Sequence, residues 1–554
     1  MMQPSYSLFR VSAVPTTRLM MSARSGARIR SIFMLLLSLA WLLYTMQAAH
    51  AQGYADLHDF GTAAMVPQFP WQMAQGRDGS LYGVTGTGGT HSKGTIFKLG
   101  PSGGFTVLYN FDGPHGATPV GGLTLGMDGN LYGMAQQGGA HGKGNIFRIT
   151  PAGNLTVLYD FKNGADGEEP ESPLIVGADG NFYGTSYPST AFRITPAGVF
   201  TVISAIPNFS QGPLLQAKDG SFYGVSDYAG KYSAGSVFKI SGGTYTILHS
   251  FDGPSGYDPT SGLVEGADGN FYGTTTAGGS GNGGVIYRIS PSGAYHVMFD
   301  WDSKPPALNG YQAFAGLVAG ADGNLYGVTI WGGQFGYGVI FSLTTDGDYS
   351  VLYSFDAPTG VGAYASLVQH TNGKLYGITN RGGAGHDGVI YGFNAGLEPF
   401  ARTITRAGHV GDTVGILGRG FGQATGVEFN GTAASFHVIS NTYMTATVPS
   451  GETGFITVET ASGHLTASSI FRVKPELTSF SPAKGKVGDT LTLNGAGLIQ
   501  ATSITIGGKA VSVYTVNSDS KLTTKIPTGA KTGKIVITTP GGKVTSSNSF
   551  TVTP

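Results

Sequence analysis

Six side chains along this chain are of a type that meets ligands: Trp71, Trp301, Tyr311, Trp331, Tyr337 and His386. Aromatic faces bury apolar area at little entropic cost, so these rings could stack on sugars. Carboxylates are the other chemical candidates. Asp302, Asp387 and the run Glu168, Glu169 and Glu171 could supply the paired acid and base of a polysaccharide hydrolase or lyase, although they come from distant parts of the chain. His91, His115, His141 and His386 offer metal ligands, but no two are spaced as a zinc pair on one element. Gly88-Gly89 and Gly138-Gly139 precede strand patterns, not the helix whose N-terminus a phosphate cradle needs. We therefore expect no catalytic set, no cofactor and no metal, and a ligand surface built from the six side chains above.

The elements that carry these residues repeat. Asp78-Gly79-Ser80-Leu81-Tyr82-Gly83 recurs from Asp128, Asp179, Asp219, Asp268 and Asp322, and finally as Asn372-Gly373-Lys374-Leu375-Tyr376-Gly377. A period near fifty residues with strand-like content marks a β-propeller. Asp-Gly between apolar runs is a hairpin turn, because both residues accept positive φ cheaply. Each turn offers one Asp followed by apolar residues, so a calcium loop with alternating oxygen ligands is the weaker reading.

Each repeat divides into four strand-like runs, with the third at Ile96, Ile146, Ala191, Val237, Ile286, Ile340 and Ile390. The seventh repeat stops at Phe393 without a fourth run, and Leu57-His58-Asp59-Phe60 supplies a surplus one at the other end. The chain's first strand is thus expected to complete its last blade, closing a seven-bladed ring without open edges. The tight turns share one face of this ring. The loops between second and third strands, with the crossovers between blades, share the other, where function is expected because loops on a rigid scaffold carry binding groups. The third repeat is trimmed, which predicts a notch in the rim beside Glu168–Glu171.

After Phe393 a second pattern begins. Gly411-Asp412-Thr413-Val414 is echoed by Gly488-Asp489-Thr490-Leu491, and Phe471-Arg472-Val473 by Phe550-Thr551-Val552. Short strands broken by Gly, Pro and Asn read as two immunoglobulin-like β-sandwiches. The second, opening on Phe480-Ser481-Pro482, resembles the IPT/TIG family, and the first shares most of its pattern. The propeller half, on Gly122-Leu123, Gly262-Leu263, Gly316-Leu317 and phrases such as Gly144-Asn145-Ile146-Phe147, resembles a bacterial tandem-repeat family called GloVer over residues 54–396. That resemblance implies an exported surface protein, often with a C-terminal sorting anchor; two IPT/TIG-like modules stand at that end here. Neither family implies a catalytic set.

The first fifty residues read as a signal peptide: arginines, the apolar run Ile32–Tyr44, and Ala49-His50-Ala51 as the cleavage site. Removing residues 1–51 takes away five arginines and no acid, leaving 27 basic and 32 acidic residues and a net charge of −5. This gives no footprint for nucleic acid. Cysteine is absent, so the exported chain must be held by its cores. From Lys474 on, nine lysines against Glu476, Asp489 and Asp519 make the last module basic, which reads as a solvated, edge-protecting surface before a site for an anionic polymer.

The expected organisation is a signal peptide (1–51), a seven-bladed propeller (54–396) and two sandwiches (397–474 and 475–554), all-β throughout. The expected function is non-catalytic binding or adhesion by a monomer without a membrane span. The partner would be an extracellular glycan or protein, with the sandwich pair as spacer or docking arm. The alternatives are a polysaccharide-active enzyme working in the axial cleft and a structural cell-surface component.

Overall fold

The computed structural model describes residues 53–61, 72–188, 190–207 and 210–554. The expected signal peptide and Trp71 lie outside them. Among the described residues the chain is almost wholly β, with one short 3-10 turn at Phe421–Gln423.

Residues 54–393 form seven four-stranded antiparallel sheets. The first sheet is typical. Ala74–Gln75 pairs with Leu81–Thr85 across the Asp78-Gly79 corner, Leu81–Thr85 with Thr95–Leu99, and that strand with Phe105–Asn110. Second and third strands are buried almost throughout, while the fourth is half-exposed. The first strands of all seven sheets line one common cavity. The first strands, mostly two residues long and half-buried, therefore stand at a shared axis, with the buried second and third strands next and the wetter fourth outside.

Apolar cores lie between each sheet and the next. Phe97 and Leu99 of the first sheet share one with Val368, Ile378 and Ile390 of the seventh, so the series returns to its start. Tyr54–Asp59 pairs antiparallel with Val389–Phe393 and is the outer strand of that seventh sheet. Its side chains fasten the closure. His58 stacks on Phe105 at 3.8 Å, Tyr54 on Tyr353 at 4.7 Å, and Phe60 meets Phe97 edge-on at 6.0 Å. Phe60 is fully buried.

The Gly-Leu openings now have a physical reason. They lie at a neck where the first strands of neighbouring repeats abut. A Cβ on Gly122 would sit 2.2 Å from the Gln72 carbonyl oxygen, and one on Gly262 2.6 Å from the Pro213 ring. The following leucines, Leu123, Leu263 and Leu317, are buried in the cores between sheets.

Two further units of paired sheets follow. In the first, Arg402–Thr403, Thr413–Leu417, Tyr443–Thr447 and Phe436–Ser440 form one sheet. Its partner holds Thr432–Ala433, Gly426–Phe429, Ile456–Thr460 and Gly463–Thr466. The second unit repeats the strand order, with Glu476–Ser481, Thr490–Ala496, Lys521–Lys525 and Tyr514–Ser518 in the equivalent sheet. Each has its own apolar core.

The first of these units packs on the tight-turn side of the repeats. The Thr442 hydroxyl donates to the Arg77 carbonyl at 2.6 Å, and the Arg77 guanidinium lies 4.2 Å over the Tyr443 ring. Thr371 donates to the Gly418 carbonyl at 3.2 Å, and the Lys474 ammonium to that of Ala178 at 2.8 Å. Leu125 is buried with Leu417 and Tyr443.

Candidate functional site

The Asp-Gly phrases are consumed by their own corners. Asp268 accepts hydrogen bonds from the Asn270 backbone N–H (3.1 Å), the Asn270 side chain (2.6 Å) and the Tyr272 hydroxyl (2.8 Å). Asp78, Asp128, Asp179 and Asp322 hold the equivalent tyrosine in the same way. In the seventh repeat the Asn372 amide donates to the Tyr376 hydroxyl at 2.8 Å. The glycine after each tyrosine leaves room for the aromatic ring of the third strand: a Cβ on Gly83 would lie 2.4 Å from Phe97 Cζ. Burial alone would raise the Asp268 carboxyl, but the hydrogen bonds from Asn270 and Tyr272 outweigh it and hold it below the usual aspartate value.

The opposite side holds the variable loops, and it treats the proposed ligand residues unequally. Trp301 is a correction: it is 0% exposed, packed in the core between the fifth and sixth sheets. Its indole N–H donates to the Tyr349 hydroxyl at 3.3 Å. The ring completes an interface between sheets and presents no face to a ligand. Tyr311 and Trp331 are brought together, exchanging backbone hydrogen bonds of 3.0 and 3.3 Å. Trp331 is 37% exposed, and Tyr311 is half-buried. Tyr337 closes the same loop and is half-buried against the core between the sixth and seventh sheets. His386 is exposed at the tip of the next repeat's equivalent loop, in the left-handed region at φ 63°.

A second group, which the sequence reading identified only in part, surrounds the trimmed third repeat. There the second strand ends at Ser186 and the third begins at Thr190. Glu168 pairs with Tyr187 through the backbone and with the Lys143 ammonium through its side chain. Glu171 accepts a hydrogen bond from the Gln136 amide. Burial pushes its carboxyl up to about 7, the Gln136 hydrogen bond opposing and Glu169 adding. Asp227 is 1% exposed, and neither carboxylate oxygen has a hydrogen-bond partner of good geometry. Burial, then the charges of Asp258 and Glu171, push it up to about 8, with the Gln211 backbone N–H acting against them. Asp258 accepts from the Thr276 hydroxyl at 3.0 Å, and burial raises it too.

Tyr187, Tyr228 and Tyr257 are exposed beside these acids, Tyr228 at 54%. The charges of Asp258 and Asp227 and the Tyr257 hydroxyl all act on Tyr228, so these groups are neighbours. The arrangement offers aromatic faces next to carboxyl groups whose protonated form is favoured by burial, able in that form to donate as well as accept.

Asp227 and Asp258 were missed as site residues. The signal was present: the residue four places after each phrase's tyrosine is Gly86, Gln136, Tyr187, Asp227, Thr276, Ile330 or Asn380. Of these, Gln136 and Thr276 hydrogen-bond crossover acids. Among the described residues, no group of three or more His, Cys, Asp or Glu could hold a metal ion, and no helix is long and apolar enough to cross a membrane. Asp302 and Asp387 are not among the groups acting on Glu171, Asp227 or Asp258.

These features define an all-β protein of propeller-like repeats with an immunoglobulin-like IPT/TIG domain. The Gloeobacter/Verrucomicrobia repeat model matches residues 42–212 and 209–435, more than half of the chain, and the chain belongs to that family. The IPT/TIG domain model matches residues 475–552. No curated protein matches the chain. Among solved structures, it is similar to the surface glycan-binding protein PbSGBP-B from Prevotella bryantii, at 20% identity over 26% of this chain and 38% of that one, with a TM-score of 0.21. It is also similar to SGBP-B from a complex xyloglucan utilization locus in Bacteroides uniformis, at 24% identity over 26% and 46%, with a TM-score of 0.15. The chain thus spans less than half the length of either protein. A fungal alcohol oxidase of the AA5 family, in complex with copper, aligns over 76% of this chain and 100% of its own at 13% identity and a TM-score of 0.43.

Proposed function

We propose that this is an exported, non-catalytic binding protein. Residues 54–396 act as a seven-bladed propeller whose long-loop side engages an extracellular glycan. Residues 397–474 and 475–554 are two IPT/TIG-like sandwiches, the first fastened to the tight-turn side and the second projecting the whole as a docking arm. The observation that carries the reading is the set of exposed tyrosines Tyr187, Tyr228 and Tyr257 around Glu171, Asp227 and Asp258. A sugar ring has C–H faces that stack on phenols and hydroxyls that pair with carboxyl groups, and this cluster offers both. Trp331 with Tyr311 is a second aromatic platform in the sixth repeat. The test is a glycan array and polysaccharide pull-down with the mature chain. Retention that Tyr228→Ala weakens and Trp301→Phe leaves intact supports the reading; no retention on any glycan sinks it.

One observation favours a second reading, a polysaccharide-active enzyme. Glycoside cleavage needs one protonated carboxyl group beside an ionised one, and burial with the charge of Glu171 pushes Asp227 up to about 8 while Glu171 stands lower, at about 7. Product released from a retained polysaccharide, and abolished by Asp227→Asn, would favour the enzyme; retention without product would favour binding.

A further inference from the structure

The first strands of the seven sheets enclose a cavity of about 420 Å³ on their common axis. Its wall on the tight-turn side comes from the chain that follows the repeats. There Phe400 donates its backbone N–H to the Thr371 carbonyl at 3.2 Å, and Arg402–Thr403 pairs with Ile416–Leu417. Three guanidinium groups stand on this wall, those of Arg402, Arg406 and Arg472. Glu265 is the one acid among the lining residues, so the lining itself carries three cations and one anion.

Among the described residues, none of the three guanidiniums makes an ion pair within 4.0 Å or a side-chain hydrogen bond. Arg402 is half-buried and Arg406 is exposed; burial and the charge of Arg406 lower the Arg402 guanidinium to about 10, which still leaves it cationic at neutral pH. Arg472 is 8% exposed and feels Arg406 as a like charge and Glu265 and Asp219 as opposite ones. A fourth donor stands on the same cavity. Gln369 is 3% exposed, its Oε1 accepts from the Ala321 backbone N–H at 2.9 Å, and its Nε2 has no partner. Like charges gathered on one cavity wall repel one another, and a buried amide donor without an acceptor adds to the cost.

We propose that the axial cavity is an anion site, in which Arg402, Arg406, Arg472 and the Gln369 amide hold a small oxyanion: a carboxylate, sulfate or phosphate. Planar guanidinium forks suit the paired oxygens of all three groups. The cavity volume admits a free ion or one acidic monosaccharide. The site is separate from the long-loop side and stands or falls without it.

The test is thermal denaturation and calorimetric titration of the mature chain with sodium sulfate, sodium phosphate and sodium glucuronate, at constant ionic strength set by sodium chloride. A saturable rise in Tm with at least one of the three, absent with chloride, is expected, because a ligand that binds only the folded state stabilises it. Which salt acts distinguishes a free inorganic ion from an acidic sugar. Arg402→Met and Arg472→Met should each weaken that binding by about tenfold or more, the loss of a charge-assisted pair. Glu265→Gln, which removes the cavity's acid, should tighten it. No rise beyond chloride overturns the proposal, as does an equal rise in a folded arginine variant. If the arginine variants fail to fold, unchanged affinity in Glu265→Gln overturns it.

Discussion

The two sides of the ring of repeats are built from one period and have gone opposite ways. On the tight-turn side, six aspartates and Asn372 each hold the tyrosine four residues on, so the corner is chemically closed. On the long-loop side, the position four residues beyond that same tyrosine changes in every repeat, from Gly86 to Asn380, and around the third repeat it gathers acids and tyrosines. A repeat conserves what closes its own hairpin and leaves free what no hairpin needs. The tight-turn side is therefore uniform enough to seat the first sandwich, whereas the long-loop side can specialise sector by sector.

Closure of the ring supports both sides, so its loss should have the largest effect. Deleting Tyr54–Phe60 removes the outer strand of the seventh sheet and should abolish a single cooperative melt; an unchanged melting curve would show that the strand is dispensable. Phe60→Ala, by opening a buried cavity, should cost about 3–5 kcal/mol in urea denaturation.

Asp268→Ala strikes the tight-turn side alone. It leaves the buried Tyr272 hydroxyl without its acceptor and should cost about 1–3 kcal/mol with glycan retention unchanged. Asp268→Asn should cost less, because Asn372 already performs this task in the seventh repeat.

The sides should also separate by pH. Asp78, Asp179, Asp219 and Asp268 sit below the usual aspartate value: burial opposes, but hydrogen bonds and, at Asp78 and Asp219, a lysine outweigh it. Their folded pKa is depressed, so their contribution is present above about pH 4 and is lost as the pH falls through the folded values. Glu171 and Asp227 are raised, to about 7 and about 8, by burial first. Their contribution is complete below the ordinary carboxylate range and is lost as the pH rises through 7 and 8. A profile of Tm against pH should therefore fall at both ends. Asp227→Asn should flatten the alkaline limb only, and a loss confined to the acid limb would contradict the assignment.

Tyr228→Ala should have the smallest effect on stability, within about 0.5 kcal/mol, because the ring is largely exposed. Its effect on glycan retention should be the greater of the two, and a variant that melts earlier yet binds normally would reverse the comparison.

Much of the scaffold was legible because its causes are short-range. The Asp-Gly corner, the tyrosine that it holds and the glycine facing the third-strand ring lie within six residues of one another or directly across a hairpin. Counting runs showed that the seventh repeat lacked a strand and that Leu57–Phe60 supplied one. The site was less legible. Tyr311, Trp331 and Tyr337 come together in one sector, but Trp301 obeys the demand for a large ring between the fifth and sixth sheets and is buried. Loop position in the sequence did not reveal which way that indole faces. Asp227 and Asp258 belong to different repeats: the period marks Asp227 as the tyrosine's neighbour four residues on, but reaches Asp258 only through Thr276, which hydrogen-bonds it.

By itself, the sequence determined the repeat period, the four-strand units and the strand that the first residues lend to the last sheet, since each follows from turn chemistry and periodic burial. Tertiary structure alone decided that the first sandwich would lie across the ring's axis, and that Arg402, Arg406 and Arg472 would face one cavity with a lone acid. Arg472 and Glu265 lie far along the chain from Arg402 and Arg406 and meet them only once it has folded, and no local pattern records that meeting.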